Sequence, residues 1–301
     1  MKNFYLSLKF LFKDKFIFIK NFLTYTWIFI IFVYVTYMII KFPHKTLSLF
    51  SSINLNLLVY SLVLIVFGKI LLIFLVFFFL KAHGQSRSLL FSWQAYSFAD
   101  IAKYLPGGIW GIVGRISIYR GNKISLIKGT EILIFETVLL IFMFLVTGFI
   151  LILVVKENWY VVLIFLFIFL IILHLLLSVC LPKFNILERY MVCIIVFLAC
   201  IFFGFSFAML FNIANFNLIW SAGQFNISFA VGQIAIFAPS GIGIREMVIA
   251  FFPSENLNIN EDKIIEIAII HRLIWFVSDL IIFFPIILKK SYSLLCKRVN
   301  Y

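Results

Sequence analysis

Long apolar runs alternate with short polar intervals along most of the chain. Thr24 to Phe42, Leu57 to Leu80, Ile132 to Val155, Trp159 to Leu181, Tyr190 to Phe211 and Ile264 to Leu288 each reach the roughly 17 to 25 residues that cross a bilayer as a helix. Their Leu and Ile occupy every helical face, whereas barrel strands are about ten residues long and alternate strictly. The pattern predicts an all-α, polytopic integral membrane protein with about six spanning helices. Two further stretches, Ser92 to Arg120 and Ser221 to Pro253, are too apolar for loops and too interrupted for spans, each being broken at a proline-glycine cluster.

Composition agrees with lipid as the main solvent. Hydrophobic residues make up 64% of the 301 positions and charged residues 12%, too few to cover a water-soluble surface. Residues 1–22 carry Lys2, Lys9, Lys13 and Lys20 on one side of a helical wheel opposite Phe4, Leu8, Phe12 and Ile19. This reads either as a basic interfacial helix or as a solvated basic tail. Residues 23–301 form a single membrane domain. The first run is too long for a signal peptide core and is followed by Lys41, Phe42, Pro43 and His44 rather than a small-residue cleavage site. A net charge of +13 marks cytoplasmic loops facing anionic lipid and not nucleic acid. Cys180, Cys193, Cys200 and Cys296 are scattered, with no metal-ligand spacing. No cofactor, metal or catalytic residue is expected.

Six spans, with each interrupted stretch entering and leaving on one side, place both termini in the cytoplasm of a bacterial-type plasma membrane. Of the Lys and Arg residues, 18 then lie inside and five outside (Lys41, Lys45, Lys156, Arg245 and Lys263), with Lys69 and Arg272 within spans. That bias favours this orientation. An eight-span alternative, in which both stretches cross, would invert residues 123–188 and move several cations outside.

The interrupted stretches form a weak internal repeat. One reads Pro106-Gly107-Gly108-Ile109-Trp110-Gly111-Ile112-Val113-Gly114-Arg115, the other Pro239-Ser240-Gly241-Ile242-Gly243-Ile244-Arg245-Glu246. Each precedes a span that carries charge early. Unit one (about 57–155) and unit two (about 190–288) have opposite orientations, the arrangement of inverted-repeat transporters. Proline followed by glycine ends one half-helix and lets another begin at membrane depth, leaving N–H groups without intrahelical partners. Such a positive helix end suits a phosphate or carboxylate, unless the glycines serve only close helix packing. Pro106, Gly107, Gly108, Arg115, Pro239, Ser240, Gly241, Gly243, Arg245 and Glu246 are therefore the candidate substrate-binding residues. At 1.5 Å per residue, Arg245 lies about 6 Å beyond Gly241 and Arg115 about 11 Å beyond Gly108, so Arg245 is the deeper contact.

These segments resemble the transmembrane domain of the lysylphosphatidylglycerol synthase and flippase family. The motifs that carry the resemblance are Lys103-Tyr104-Leu105-Pro106-Gly107-Gly108-Ile109-Trp110 through Arg115, Pro239 through Glu246, and the His271-Arg272 pair. The resemblance extends over roughly residues 10 to 290, although only the two breaks are specific. It implies an all-helical domain that moves a modified phospholipid or an isoprenoid-linked glycan precursor between leaflets. The chain has no room for the aminoacyl-transfer domain of the two-part proteins, so enzymatic synthesis of the lipid is not expected. Lipid-modifying or glycan-synthesis enzymes are the expected partners.

Charges inside apolar runs are costly and point to function: Lys69, Glu136, Arg272 and Asp279. Glu136 and Arg272 hold corresponding places in the two units, which would let them face each other across the pseudo-twofold axis, either as an ion pair fixing the bundle or in a gating or head-group role. Glu246 is expected to neutralise Arg245 or to take a head-group amine. His271, near Arg272 and Glu266, is a candidate for proton coupling, and His174 reads as a packed histidine. Trp27, Trp159 and Trp220 suit an aromatic belt. Asn212, Asn215 and Asn217 read as an exterior loop. Two other functions compete with transport: a membrane glycosyltransferase or ligase acting on a polyprenyl-phosphate sugar, with Glu255, Glu261 or Asp262 as its acid, and a scaffold recruiting soluble partners through its basic face.

Overall fold

Apolar runs bounded by Ser and Asn should give long capped helices, and they do. The computed structural model describes residues 54–104, 110–156, 159–211, 218–235, 241, 243–251 and 261–299, the side chains of 261–265 and 289–299 excepted. Among these residues the chain is helical without strands: α1 (Leu55–Ala82), α2 (Leu89–Ala102), α3 (Trp110–Gly121), α4 (Leu126–Val155), α5 (Trp159–Cys180), α6 (Ile186–Ala208), α7 (Leu218–Ile234), α8 (Ile244–Phe251) and α9 (Glu261–Val299). Asn54, Ser88 and Ser125 cap α1, α2 and α4, and Asn185 with Glu188 forms a capping box on α6.

Five helices are long and apolar enough to span a bilayer: α1, α4, α5, α6 and the Glu266–Leu288 part of α9. They coincide with five of the six expected spans, and the protein is an all-α, multi-pass membrane protein. Residues 1–22, the run from Thr24 to Phe42, and Asn212, Asn215 and Asn217 lie outside the described residues.

The two interrupted stretches are helical hairpins. Helices α2 and α3 have 14 and 12 residues, about 21 and 18 Å at 1.5 Å per residue, each short of the roughly 30 Å hydrocarbon core. They fold back on one another: a Cβ on Gly111 would stand 3.2 Å from the Ala99 carbonyl oxygen, and one on Gly114 3.4 Å from Ala102 Cβ. The hairpin closes where it opened, since Arg87, just before α2, donates to the carbonyl of Asn122, just after α3. At the same end Lys81 of α1 meets Glu188 of α6 at 3.3 Å. Lys81, Arg87, Arg120, Lys123, Lys128, Lys183 and Arg189 are thereby gathered at one end of the bundle.

The first arm of the second hairpin, α7, lies in the core, whereas in its second arm, α8, only Ile249 is buried. Twelve residues of α7 are buried, and Gly223 crosses Gly148 of α4 so tightly that a Cβ on either would lie 2.9 Å from the other's carbonyl oxygen. Small residues let helices approach in this way where lipid supplies no hydrophobic drive. Asn226 adds a 3.3 Å bond to Thr147 of α4. Around α7 the rings of Phe144, Phe203, Phe207, Phe225, Phe229 and Trp275 join α4, α6, α7 and α9 in one aromatic cluster. Helix α5 is the outlier, packing on α4 and presenting Leu163, Ile164 and Phe167 outward, as a lipid-facing helix would. Trp159 is exposed at its start. Trp220, expected in an aromatic belt, is instead buried beneath Lys156, whose ammonium stands 5.7 Å from the ring centroid.

Candidate functional site

The polar residues of the two hairpins and of the spans that flank them meet in mid-bundle. Lys69 stands midway along α1, fully buried, and pairs with the equally buried Asp279 of α9. Its ammonium also donates to the Trp275 carbonyl at 3.2 Å and lies 3.8 Å from Asp100. From the C-terminal turn of α2 come Asp100, Lys103 and Tyr104. Lys103 bridges Asp100 at 2.7 Å and Asp279 at 3.1 Å, while the Tyr104 hydroxyl donates to Asp279 at 2.6 Å. Trp93 secures α2 to α9 through a 2.9 Å bond to the Ile282 carbonyl.

The second break faces this cluster. Gly241 sits in the left-handed region at φ 66°, and a Cβ there would strike the Gly232 backbone at 2.9 Å, so the turn requires glycine on steric and conformational grounds. Arg272 of α9 braces the turn, donating to the Gly241 carbonyl at 2.9 Å and gripping the Glu246 carboxylate. Glu246 in turn accepts the Gly243 N–H at 2.8 Å, satisfying a donor at the start of α8. Arg245 lies against Gly232, its guanidinium 4.1 Å from the Phe229 ring centroid, a cation–π contact. Among the described residues Arg245 makes no ion pair, and its Nε is buried without a hydrogen-bond partner. Lys103 and Tyr104 lie within electrostatic reach of both Arg245 and Arg272.

Four cations (Lys69, Lys103, Arg245 and Arg272) therefore face three carboxylates (Asp100, Asp279 and Glu246), and the surplus positive charge falls on Arg245. In a low-dielectric interior an uncompensated cation is expensive. An arriving anion would balance it.

Several expectations change. Glu136 and Arg272 do not face each other: Glu136 accepts from Arg115 at 2.7 Å within the first unit, and Arg272 is spent on Glu246 and Gly241 in the second. The reason is proximity along the chain, since each hairpin's second arm packs on the span that follows it. Arg115, a candidate substrate contact, is consequently buried under Tyr96 beside Glu136. Glu246 does not pair with Arg245, because its oxygens serve Arg272 and Gly243. His271 is enclosed by Phe207, Phe225 and Trp275 and bonded to Ser206 at 2.8 Å, a packing position. His174 is exposed, 3.3 Å from the Tyr190 hydroxyl. Pro106, Gly107, Gly108, Pro239 and Ser240 lie outside the described residues, as does Glu255, and the side chains of Glu261 and Asp262 are not described. Asp100 was not singled out by sequence, and Lys103 and Tyr104 only as the start of the first resembling motif, although the i, i+3, i+4 spacing just ahead of Pro106 places all three on one helical face.

Among the described residues no cluster of His, Cys, Asp and Glu fits a metal ion. Compared with known proteins, the sequence matches no family model and no curated protein.

Proposed function

We propose that this protein is a flippase-like transporter that carries a lipid with an anionic head group between leaflets, the lipid being a modified phospholipid or an isoprenoid-linked glycan precursor made by other enzymes. The observation that carries this reading is the convergence of two broken helical hairpins on a mid-bundle centre whose surplus cation is Arg245. A binding site at membrane depth between two interrupted segments is the architecture of alternating access. In this reading the hairpins re-enter the membrane from opposite sides, the basic end of the bundle is cytoplasmic, and the two units are inverted repeats. The charge-exchanged bridges support the pairing of the units: Arg115 on a hairpin arm with Glu136 on the next span, and Glu246 on a hairpin arm with Arg272 on the next span. The resemblance of both breaks to the lysylphosphatidylglycerol flippase domain agrees with it.

The test is purified protein in liposomes carrying labelled phosphatidylglycerol, with movement followed by quenching of outer-leaflet label. Arg245→Ala should abolish movement while the protein still folds and inserts. Normal movement by that variant would reject the site.

A further inference from the structure

Resting on that reading, we infer that the bundle holds a second oxyanion site, formed by Lys69, Lys103 and Tyr104 at the tip of the first hairpin, which takes a lipid phosphate in exchange for the Asp279 carboxylate that fills it here. Three donors from two elements converge on that carboxylate. The Lys69 ammonium contacts Oδ1, while the Lys103 ammonium at 3.1 Å and the Tyr104 hydroxyl at 2.6 Å reach Oδ2. Two ammonium groups and a phenol around one anion are the components of a phosphate receptor, and the side-chain carboxylate stands in for phosphate oxygens.

The site is built and not a surface accident. Lys69 and Asp279 have no exposed side-chain area, and Lys69 is further fixed by the Trp275 carbonyl and ring, the ring centroid lying 5.0 Å from its Nζ. Lys103 retains 24% exposure and Asp100 19%, so the receptor opens on the Lys103 side, and Lys103 is within electrostatic reach of Arg245. Charge favours exchange. Within the first-hairpin cluster two lysines balance Asp100 and Asp279, so a phosphate entering there must displace a carboxylate. In the centre as a whole, one monoanion leaves four cations facing four anions. Arg245 at the second break and the lysine pair at the first would then be successive stations for one head group, and release of Asp279 would remove the polar bonds that Lys103 and Tyr104 make to α9, leaving ring contacts such as that of Tyr104 with Phe276.

The experiment uses the full chain in maltoside micelles and measures binding of dihexanoyl phosphatidylglycerol, with inorganic phosphate as the second probe. Asp279→Asn keeps the shape and removes the competing charge. It should bind the lipid probe at least about fivefold more tightly, the lower end of ordinary coupling between linked sites, and the gain should vanish when Lys103→Gln is added. A folded Asp279→Asn protein with unchanged or weaker affinity overturns the site, as does a gain indifferent to Lys103→Gln. A gain for phosphate alone overturns the lipid assignment. If Asp279→Asn is not monodisperse, Lys103→Gln in the natural sequence takes its place: weaker lipid binding supports the site and unchanged binding overturns it. Arg245→Ala separates the two readings. Survival of the Asp279→Asn gain in that background supports an independent second site, and its loss puts the anion at Arg245 alone. Normal transport by Arg245→Ala rejects the proposed transport site but leaves the Asp279→Asn binding comparison intact.

Discussion

Arg115 donates to Glu136 at 2.7 Å between α3 and α4, both side chains almost wholly enclosed, and Arg272 repeats the bridge to Glu246 between α9 and α8 with the charges exchanged. Each bridge clips the returning arm of a hairpin to the span that follows it. These four charges therefore serve the fold, and the bridges leave Arg245 of the second break without a carboxylate among the described residues.

Removing one partner of the first bridge should be costly. Glu136→Ala leaves a buried guanidinium uncompensated, and loss of one member of a buried pair costs about 3–5 kcal/mol. Thermal unfolding in detergent, followed by size-exclusion fluorescence, should show a marked fall in midpoint. The Arg115→Ala/Glu136→Ala double variant should recover part of it.

Loosening the second bridge should act locally. With Glu246→Ala, the Gly243 N–H loses its acceptor and Arg272 loses its carboxylate while keeping the Gly241 carbonyl, and a lost cap alone costs about 1 kcal/mol. Hydrogen exchange should quicken across Ile244–Phe251 while the amides of α4 and α6 remain protected. Uniform protection in α8 would show that the brace is unnecessary.

The α4–α7 crossing admits no side chain. A Cβ on Gly148 would stand 2.6 Å from Ile227 Cγ1 and 2.9 Å from the Gly223 carbonyl oxygen, and backbone cannot swing aside as a side chain can. Gly148→Leu should therefore separate the helices and cost at least about 1–3 kcal/mol, the usual penalty of overpacking. The yield of monodisperse protein is the measurement, and Gly121→Ala, where a Cβ meets nothing within 4 Å, is the neutral control.

Re-entry makes a labelling prediction. Single cysteines at Ser86 and Arg120, which flank the first hairpin, should react with an impermeant thiol reagent from the same side of the membrane, and a cysteine at Lys156 from the opposite side. The three described native cysteines, Cys180, Cys193 and Cys200, are buried and unpaired, which keeps their background low. Labelling of positions 86 and 120 from opposite sides would restore the eight-span alternative.

Five spans and both interrupted stretches were legible in the sequence because each depends on local properties: a run long enough for lipid, and a proline-glycine cluster that no helix absorbs. Arg245 was legible for the same reason, lying one turn past a break. Lys69 and Asp279 stood out only as costly charges, and nothing local reveals that they are 210 positions apart yet in contact. Asp100 passed as ordinary helix polarity, and Lys103 and Tyr104 drew notice only as the start of the first motif, since what the three do depends on α9 lying opposite them.

Hydrophobic run length and the two breaks, which the chain carries in its own order, thus determined the membrane class, the helix count along the described residues and the places where helices stop. Pairing was decided by the tertiary structure alone. Which carboxylate each buried cation takes depends on which helices lie within a few ångströms, and in lipid that is set by glycine crossings such as Gly148 with Gly223 and by ring packing around α7, not by hydrophobic pattern, because the pattern is nearly the same on every face. Packing assigned Glu136 to Arg115 and Glu246 to Arg272, and of the four cations in the mid-bundle cluster it left Arg245 without a carboxylate among the described residues.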